Sequence, residues 1–421
     1  MSHEVRYDGS LKFFARLLTP FVVAIISAIP AMMIQFGAIH TSALAAAGFY
    51  GLAIVAAAFM LGWVGEAAEL DLSGGLSIGL LAVIAILPEY VVSTIISFQA
   101  GTNPSMEPLA TANLTGANRL LIGFGWPVVA LCGWFALRKV KSKASNKGEK
   151  SKSSFGIELE PQSKIDIGFM IWATVISFIV PIMGEIGLIV GVLMVALFIS
   201  YLWRVSQEEN EEPELHGTAA YVGALPKWGR RAFLLVVALI AAGIILICAD
   251  PFTEHLIEAG TDAGWDKYLL IQWITPLASE APEFTLAFLF AARGKARVAL
   301  AVLISSKVNQ WSVLAGSLPM AYVLGGGQGA ALPLDAQSVS EFNLTIAQGI
   351  LGIAILLGMR VGGLGSMLLL ATFVISFLFT DVFSRDLLAV ACLVAAVPYF
   401  WINRDNLLDI AKTPFVRKPK V

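Results

Sequence analysis

The chain has 421 residues, of which 57% are hydrophobic and only 14% charged, and its formal net charge is −2. A soluble domain carries about 25% charged residues, so most of this surface is expected to face hydrocarbon, while the near-neutral balance excludes bulk attraction to nucleic acid or acidic substrates. Cys132, Cys248 and Cys392 sit singly in apolar runs, which excludes a disulfide framework or metal cluster and leaves them as small core residues.

Apolar runs long enough to cross a hydrocarbon core of about 30 Å as helices recur along the whole chain. They cover residues 14–38, 43–65, 76–98, 108–137, 166–183, 186–203, 232–250, 267–292, 298–323, 343–359, 361–380 and 386–402. The pattern predicts an all-α integral membrane protein of about 12 transmembrane helices, with 108–137 and 267–292 long enough to be tilted, kinked or frayed. Small residues Ala45 to Ala47 follow the first run, as at a signal-peptide cleavage site. That run is longer than a signal core, however, and reads as an anchor.

Basic residues mark the cytoplasmic side, because they resist translocation. With both termini inside, 24 of the 28 Lys and Arg fall on the cytoplasmic side, eight of them between Arg138 and Lys164. Lys267 and Arg385 fall outside, and Arg119 and Lys307 lie within spans. The Lys- and Ser-rich loop at 138–164 and the acidic loop at 204–218 lack apolar periodicity and read as polar connectors. The Gly-rich stretch 324–342 reads as a long outward loop, and Asp250, Glu185, Asp381 and His40 as solvated or interfacial residues at span ends.

The chain also repeats itself. Ile86-Leu87-Pro88-Glu89-Tyr90 and Glu280-Ala281-Pro282-Glu283-Phe284 each place Pro-Glu-aromatic inside a span, and a Gly follows 11 or 12 residues after the glutamate (Gly101, Gly294). Each is succeeded by a span with small and amide residues, Ala112 to Asn118 in one half and Leu303 to Gln310 in the other. The loop at 99–107 has no basic residue, whereas the loop at 293–297 is basic. Charge therefore predicts two inverted hairpins, a common architecture of secondary transporters. The division expected is an N-terminal half at 1–203 with its repeat at 43–137, a linker at 204–231, and a C-terminal half at 232–421 with its repeat at 232–323.

These residues resemble the α-repeats of the sodium/calcium exchanger and cation/proton exchanger superfamily, in which a helix carrying Ser-Leu-Pro-Glu precedes one carrying Gly-Asn-x-x-Gly-Ser-Asn. The resemblance implies two inverted sets of five helices, here with one extra span at each end, and a divergent prokaryotic-type member. Asn113 and Gly116 match the Asn and second Gly of the motif in the first repeat, Ser279 and Glu280 fall just before the second Pro-Glu, and Ser306 falls on the motif's Ser. Ile86 and Ala117 replace serines, Val302 and Lys307 replace asparagines, and Gln310 stands where an acid or amide ligand is usual. Gly65-Glu66-Ala67-Ala68-Glu69 echoes the Gly-Asn-Ala-Ala-Glu of cation/proton exchangers but precedes the repeat helix, so Glu66 and Glu69 read as residues of the cytoplasmic mouth.

Glu89, Glu280, Glu283, Arg119 and Lys307 all fall near mid-span. Each ionisable group there costs on the order of 3 kcal/mol, so five left unpaired would cost about 15 kcal/mol. They are expected to be paired, protonated or in contact with water. Proline frees the carbonyl four residues back, which puts the Ile84 and Ala278 carbonyls one turn from the glutamates. Carbonyl, carboxylate, hydroxyl and amide oxygens make the hard ligand set that Ca²⁺ prefers. The expected cation-binding residues are Glu89, Glu283, Glu280, Ser279, Ser306, Asn113 and Gln310, with Glu89 and Glu283 as direct metal ligands. Glu280 and Glu283, three apart, are expected to share a helix face.

Lys307 and Arg119 are expected to balance charge. Three glutamates against two cations leave −1, which favours a monovalent or proton-linked cation over a divalent one, with Lys307 pairing Glu280 in the empty state. A lone buried glutamate can also serve as a structural hydrogen-bonding group, and Arg119 as a tie that holds the fold together. The function expected is antiport of Ca²⁺ or a monovalent cation against H⁺ or Na⁺ by alternating access, in the cytoplasmic membrane of a prokaryote. The expected partners are inorganic cations and the lipid bilayer, with no nucleic acid and no cofactor besides the transported ion. A non-coupled channel or sensor on the same fold is the alternative. A membrane-embedded enzyme lacks support, since the chain has no His-Glu-x-x-His and no Ser–His couple, and His40, His216 and His255 read as lying at or outside span ends.

Overall fold

The structure is a computed structural model that describes residues 7–68, 70–71, 87–144, 156–207, 215 and 217–416. The first helices are α1 (Leu11–Gln35), α2 (Ala43–Ala68) and α3, described from Leu87 to Ala100. Next come α4 (Glu107–Leu120), a π-helical segment Leu121–Gly125, α5 (Trp126–Ala144) and strand β1 (Gly156–Glu158). They are followed by α6 (Ser163–Ser177), α7 (Ile179–Met183), β2 (Glu185–Gly187) and α8 (Leu188–Val205).

The second half opens with α9 (Thr218–Gly223), α10 (Lys227–Asp262) and the single turn α11 (Lys267–Leu269). A π segment Leu270–Ile274, α12 (Thr275–Ser279) and α13 (Ala281–Ala292) follow. Then come α14 (Ala296–Asn309), a π segment Gln310–Leu314, α15 (Ala315–Leu324) and β3 (Ala331–Pro333). The chain ends with α16 (Ala336–Leu356), β4 (Arg360–Gly362), α17 (Gly363–Leu378), α18 (Val382–Ile402) and α19 (Arg404–Lys412). Among the described residues, nine helical segments are long and apolar enough to cross a membrane.

The chain divides into two compact units. The first comprises residues 1–92, 202–270 and 278–282. Its interior is built by α1, α2 and α10, where Phe13, Leu17 and Phe21 pack with Ala57, Met60, Leu234 and Val237. The alanine-rich face of α2 lets neighbouring helices approach closely, the usual solution where lipid removes the hydrophobic drive for association. At the end of α2, Asp71 takes charged hydrogen bonds from Arg230 (2.7 Å) and Arg231 (3.1 Å), fixing that end to the start of α10.

The second unit comprises residues 93–201, 271–277 and 283–421. Its strands carry the inverted symmetry. β1, which leads into α6, pairs antiparallel with β4, which follows α16; β2, which follows α6, pairs with β3, which leads into α16. The N-terminal end of α6 is therefore joined to the C-terminal end of α16, and the reverse, so the two helices run in opposite directions. The interval from β1 to β3 equals that from β2 to β4. Residue Asp166, eight past the last residue of β1, thus corresponds to Glu341, eight past the last residue of β3.

Several expectations need correction. The helix expected at 232–250 runs over Lys227–Asp262, so Asp250 and His255 lie inside it; His255 stacks on Tyr50 with ring centroids 5.8 Å apart. The loop expected at 324–342 ends early, because β3 pairs within it and Asp335 caps α16 by accepting from the Ser338 amide. Glu341 therefore lies within α16, fully buried. Arg385, read as an outside residue, is on α18 and fully buried. The span at 267–292 is broken rather than merely kinked: Glu280 occupies the break between α12 and α13 and does not share a continuous helix with Glu283. Pro282, lacking an N–H, prevents the α-helical ladder from crossing that point. Glu69, His216 and residues 76–86 of the third span lie outside the described residues.

Candidate functional site

Within the first unit, Glu89, Ser279 and Glu280 are all buried, Glu89 and Glu280 at 1% exposure. Such burial of carboxylates is costly unless compensated, which marks these two as more than surface acids. Glu66 is half-buried in the last turn of α2.

The second unit holds the amide-bearing helices. Asn113 on α4 donates from Nδ2 to Ser93 Oγ at 2.7 Å, and Ser93 lies four residues after Glu89 on α3. Asn113 Oδ1 is buried with no hydrogen-bond donor against it among the described residues, and a buried amide oxygen left in that state is itself a penalty unless something positive comes to it. Glu283 is buried in the first turn of α13, where the exposed amides of a helix start favour negative charge. Ser306 and Gln310 are buried on and just after α14.

Lys307 sits fully buried on α14 and donates from Nζ to Asn118 Oδ1, with its ammonium 4.2 Å from the centre of the Trp311 ring. Asn118 and Lys307 each stand three residues before a π-helical segment, Leu121–Gly125 and Gln310–Leu314. They are the same position in the two inverted repeats, and equivalent residues that touch lie beside the pseudo-two-fold axis. In inverted-repeat transporters that axis lies in the membrane plane, so this contact marks mid-bilayer.

Arg119 belongs to a buried ion-pair cluster. It pairs through Nη2 with Glu341 Oε2 at 2.5 Å, and Arg385 Nη1 reaches Glu341 Oε1 at the same distance, all three side chains being fully buried. The Arg119 guanidinium also lies 4.8 Å from the Trp273 ring, and Arg385 donates to Gln272 Oε1 at 3.3 Å. Arg119 balances charge, then, but the charge of Glu341. Hydropathy hid this cluster, because it placed Glu341 and Arg385 in loops; Asp335 and Asp381, each an N-cap three residues before a Ser amide it accepts from, are the local signals that both helices start earlier.

Gly116, matched to the motif, serves packing. A Cβ there would lie 1.7 Å from the Gln272 carbonyl oxygen, so only glycine lets these backbones meet. Among the described residues, no three His, Cys, Asp or Glu side chains form a group able to hold a metal ion.

The family model described as sodium/calcium exchanger protein matches residues 41–207 and 233–382, three quarters of the chain. The chain belongs to the sodium/calcium exchanger family. This exchanger is 32% identical to the protein of the crystal structure of the H⁺/Ca²⁺ exchanger CAX, over 96% of its own length and 98% of that chain, with a TM-score of 0.86. It shares its fold with the sodium-calcium exchanger NCX_Mj soaked with Na⁺ and Sr²⁺ (17% identity, 80% and 98% coverage, TM-score 0.54). The same holds for native YfkE (16% identity, 92% and 99% coverage, TM-score 0.52). No curated protein matches its sequence. The exchanger is thus an integral membrane cation exchanger of the helical inverted-repeat type, a transporter family rather than an enzyme family.

Proposed function

We propose that the chain exchanges Ca²⁺ for H⁺ by alternating access, with Glu89 and Glu283 as the direct ligands and Asn113, Ser279, Glu280, Ser306 and Gln310 supplying further oxygens. The observation that carries this reading is the buried Asn113 Oδ1, with no hydrogen-bond donor against it among the described residues. The amide is oriented through its Nδ2, which donates to Ser93 on the helix of Glu89, and an amide oxygen is a ligand type suited to Ca²⁺. The likeness to an H⁺/Ca²⁺ exchanger over nearly the whole chain supports the same cargo.

The charge tally moves with the new partner of Arg119. Once Arg119 is counted with Glu341, Glu89, Glu280 and Glu283 against Lys307 leave −2, which a divalent ion balances; Arg385 keeps its excess charge within its own cluster. The earlier preference for a monovalent cargo rested on counting Arg119 at the site. The likeness to an H⁺/Ca²⁺ exchanger supports protons as the counter-ion.

The basic residues argue for a cytoplasmic membrane location with both termini inside, the β1–β4 end lying on the cytoplasmic side. Proteoliposomes with an internal pH dye test the cargo: Ca²⁺ should discharge an imposed pH gradient, while Na⁺, K⁺ and Mn²⁺ are scanned alongside. Discharge by Na⁺ or K⁺ but not Ca²⁺ would restore the monovalent reading. Discharge without any added cation would favour an uncoupled channel.

A further inference from the structure

The correspondence of Asp166 with Glu341 shows two acids at one position of the inverted repeats held in opposite ways. Glu341 is clamped by two guanidiniums, those of Arg119 and Arg385. Asp166, half-buried in the first turn of α6, has a hydroxyl instead: Tyr201 on α8 approaches Asp166 Oδ1 at 2.9 Å. The same Tyr201 oxygen lies 2.7 Å from Ser305 Oγ on α14, where either can donate. Tyr201 is buried at 3% exposure and Ser305 at 9%. The three groups form one hydrogen-bonded line from the start of α6 to the residue next to Ser306.

Nothing charged pins this line. Against α6 pack α14, α16 and α19, which carry Arg297 and Lys307, Glu341, and Arg404, Asp405, Asp409 and Lys412, while α6 itself carries Lys164. None of these makes a hydrogen bond or ion pair to Asp166, whose sole such partner among the described residues is Tyr201. An acid flanked by hydroxyls alone can take up and release a proton without breaking an ion pair.

We propose that Asp166, Tyr201 and Ser305 form a proton relay that carries the counter-transported proton between the start of α6 and the α14 helix. A proton from water binds the Asp166 carboxylate. The acid then passes its proton to the Tyr201 oxygen as Tyr201 passes its own to Ser305, and Ser305 releases its hydroxyl proton to water on the α14 side. Each O–H broken is matched by one formed, Asp166 returns to its carboxylate while Tyr201 and Ser305 stay neutral, and rotation of the hydroxyls resets the line.

This rests on the proton-coupled reading above, and two readouts in proteoliposomes separate the two. One is Ca²⁺-driven proton movement, followed by an internal pH dye; the other is exchange of radioactive Ca²⁺ for Ca²⁺ at equal pH on both sides. Asp166→Asn and Tyr201→Phe are each expected to slow proton-coupled exchange by about tenfold or more while self-exchange stays within about twofold of wild type. Equal loss of both rates, or no loss of the proton-coupled rate, overturns the relay. A wild-type protein that self-exchanges Ca²⁺ but moves no protons overturns the proton-coupled reading, and the relay with it.

Discussion

Lys307 donates its hydrogen bond to Asn118, the residue that occupies Lys307's own position in the other repeat. One repeat carries an amide at this position and the other an ammonium, and the amide accepts from it. A positive charge so placed opposes cation entry unless a carboxylate or proton release offsets it. Lys307→Met is expected to alter the pH dependence of transport, measured as initial rate against pH in proteoliposomes. A profile superimposable on wild type would remove Lys307 from the coupling.

The Arg119–Glu341–Arg385 cluster predicts an asymmetric stability response. Glu341→Gln leaves two buried guanidiniums facing a neutral amide, at a cost of about 3–5 kcal/mol. Replacing all three residues with apolar side chains of similar volume is expected to cost much less, since the desolvated charges go together. Thermal unfolding in detergent reads both variants. A triple variant less stable than Glu341→Gln would contradict the account.

Asp71 supplies a pH-dependent term. The hydrogen bond from Arg230, followed by that from Arg231, holds its carboxyl below the ordinary 3.8. A lowered pKa means that the stabilisation is fully present above the unfolded value and is lost as pH falls through the folded one. Asp71→Asn is expected to lower Tm at pH 7, with the difference from wild type shrinking as pH drops below about 3.8. A difference independent of pH would mean that the contact acts through packing alone.

Glycine positions separate packing from flexibility. Gly116→Ala is expected to abolish recovery of folded protein, because the added methyl meets the backbone oxygen of Gln272. Gly349→Ala, with nothing within 4 Å of the added methyl, should be recovered normally. Size-exclusion profiles after detergent extraction decide it; normal recovery of Gly116→Ala would refute the close approach.

Much of this architecture can be read from the sequence, because hydrocarbon imposes long apolar runs and basic residues choose a side. The Pro-Glu repeat was legible for the same reason: an acid inside an apolar run stands out. What hydropathy misses is an acid at the edge of a run whose neighbour in space comes from far along the chain. Glu341 and Arg385 fell just outside the windows, and only the fold brings them to Arg119. Asp166 needed both Tyr201 and the strand register of β1 and β3 before its correspondence with Glu341 emerged. The break at Glu280 was partly visible in Pro282, but the sequence could not say that α12 ends one residue before it.

The central claim is that Glu89 and Glu283 bind the exchanged cation. Its most direct measurement is Ca²⁺-dependent dequenching of a pH dye in proteoliposomes containing wild type, Glu89→Gln or Glu283→Gln, each reconstituted at equal density and checked for folding. The account predicts dequenching by wild type and none above empty liposomes by either variant. Wild-type rates in Glu283→Gln would contradict it.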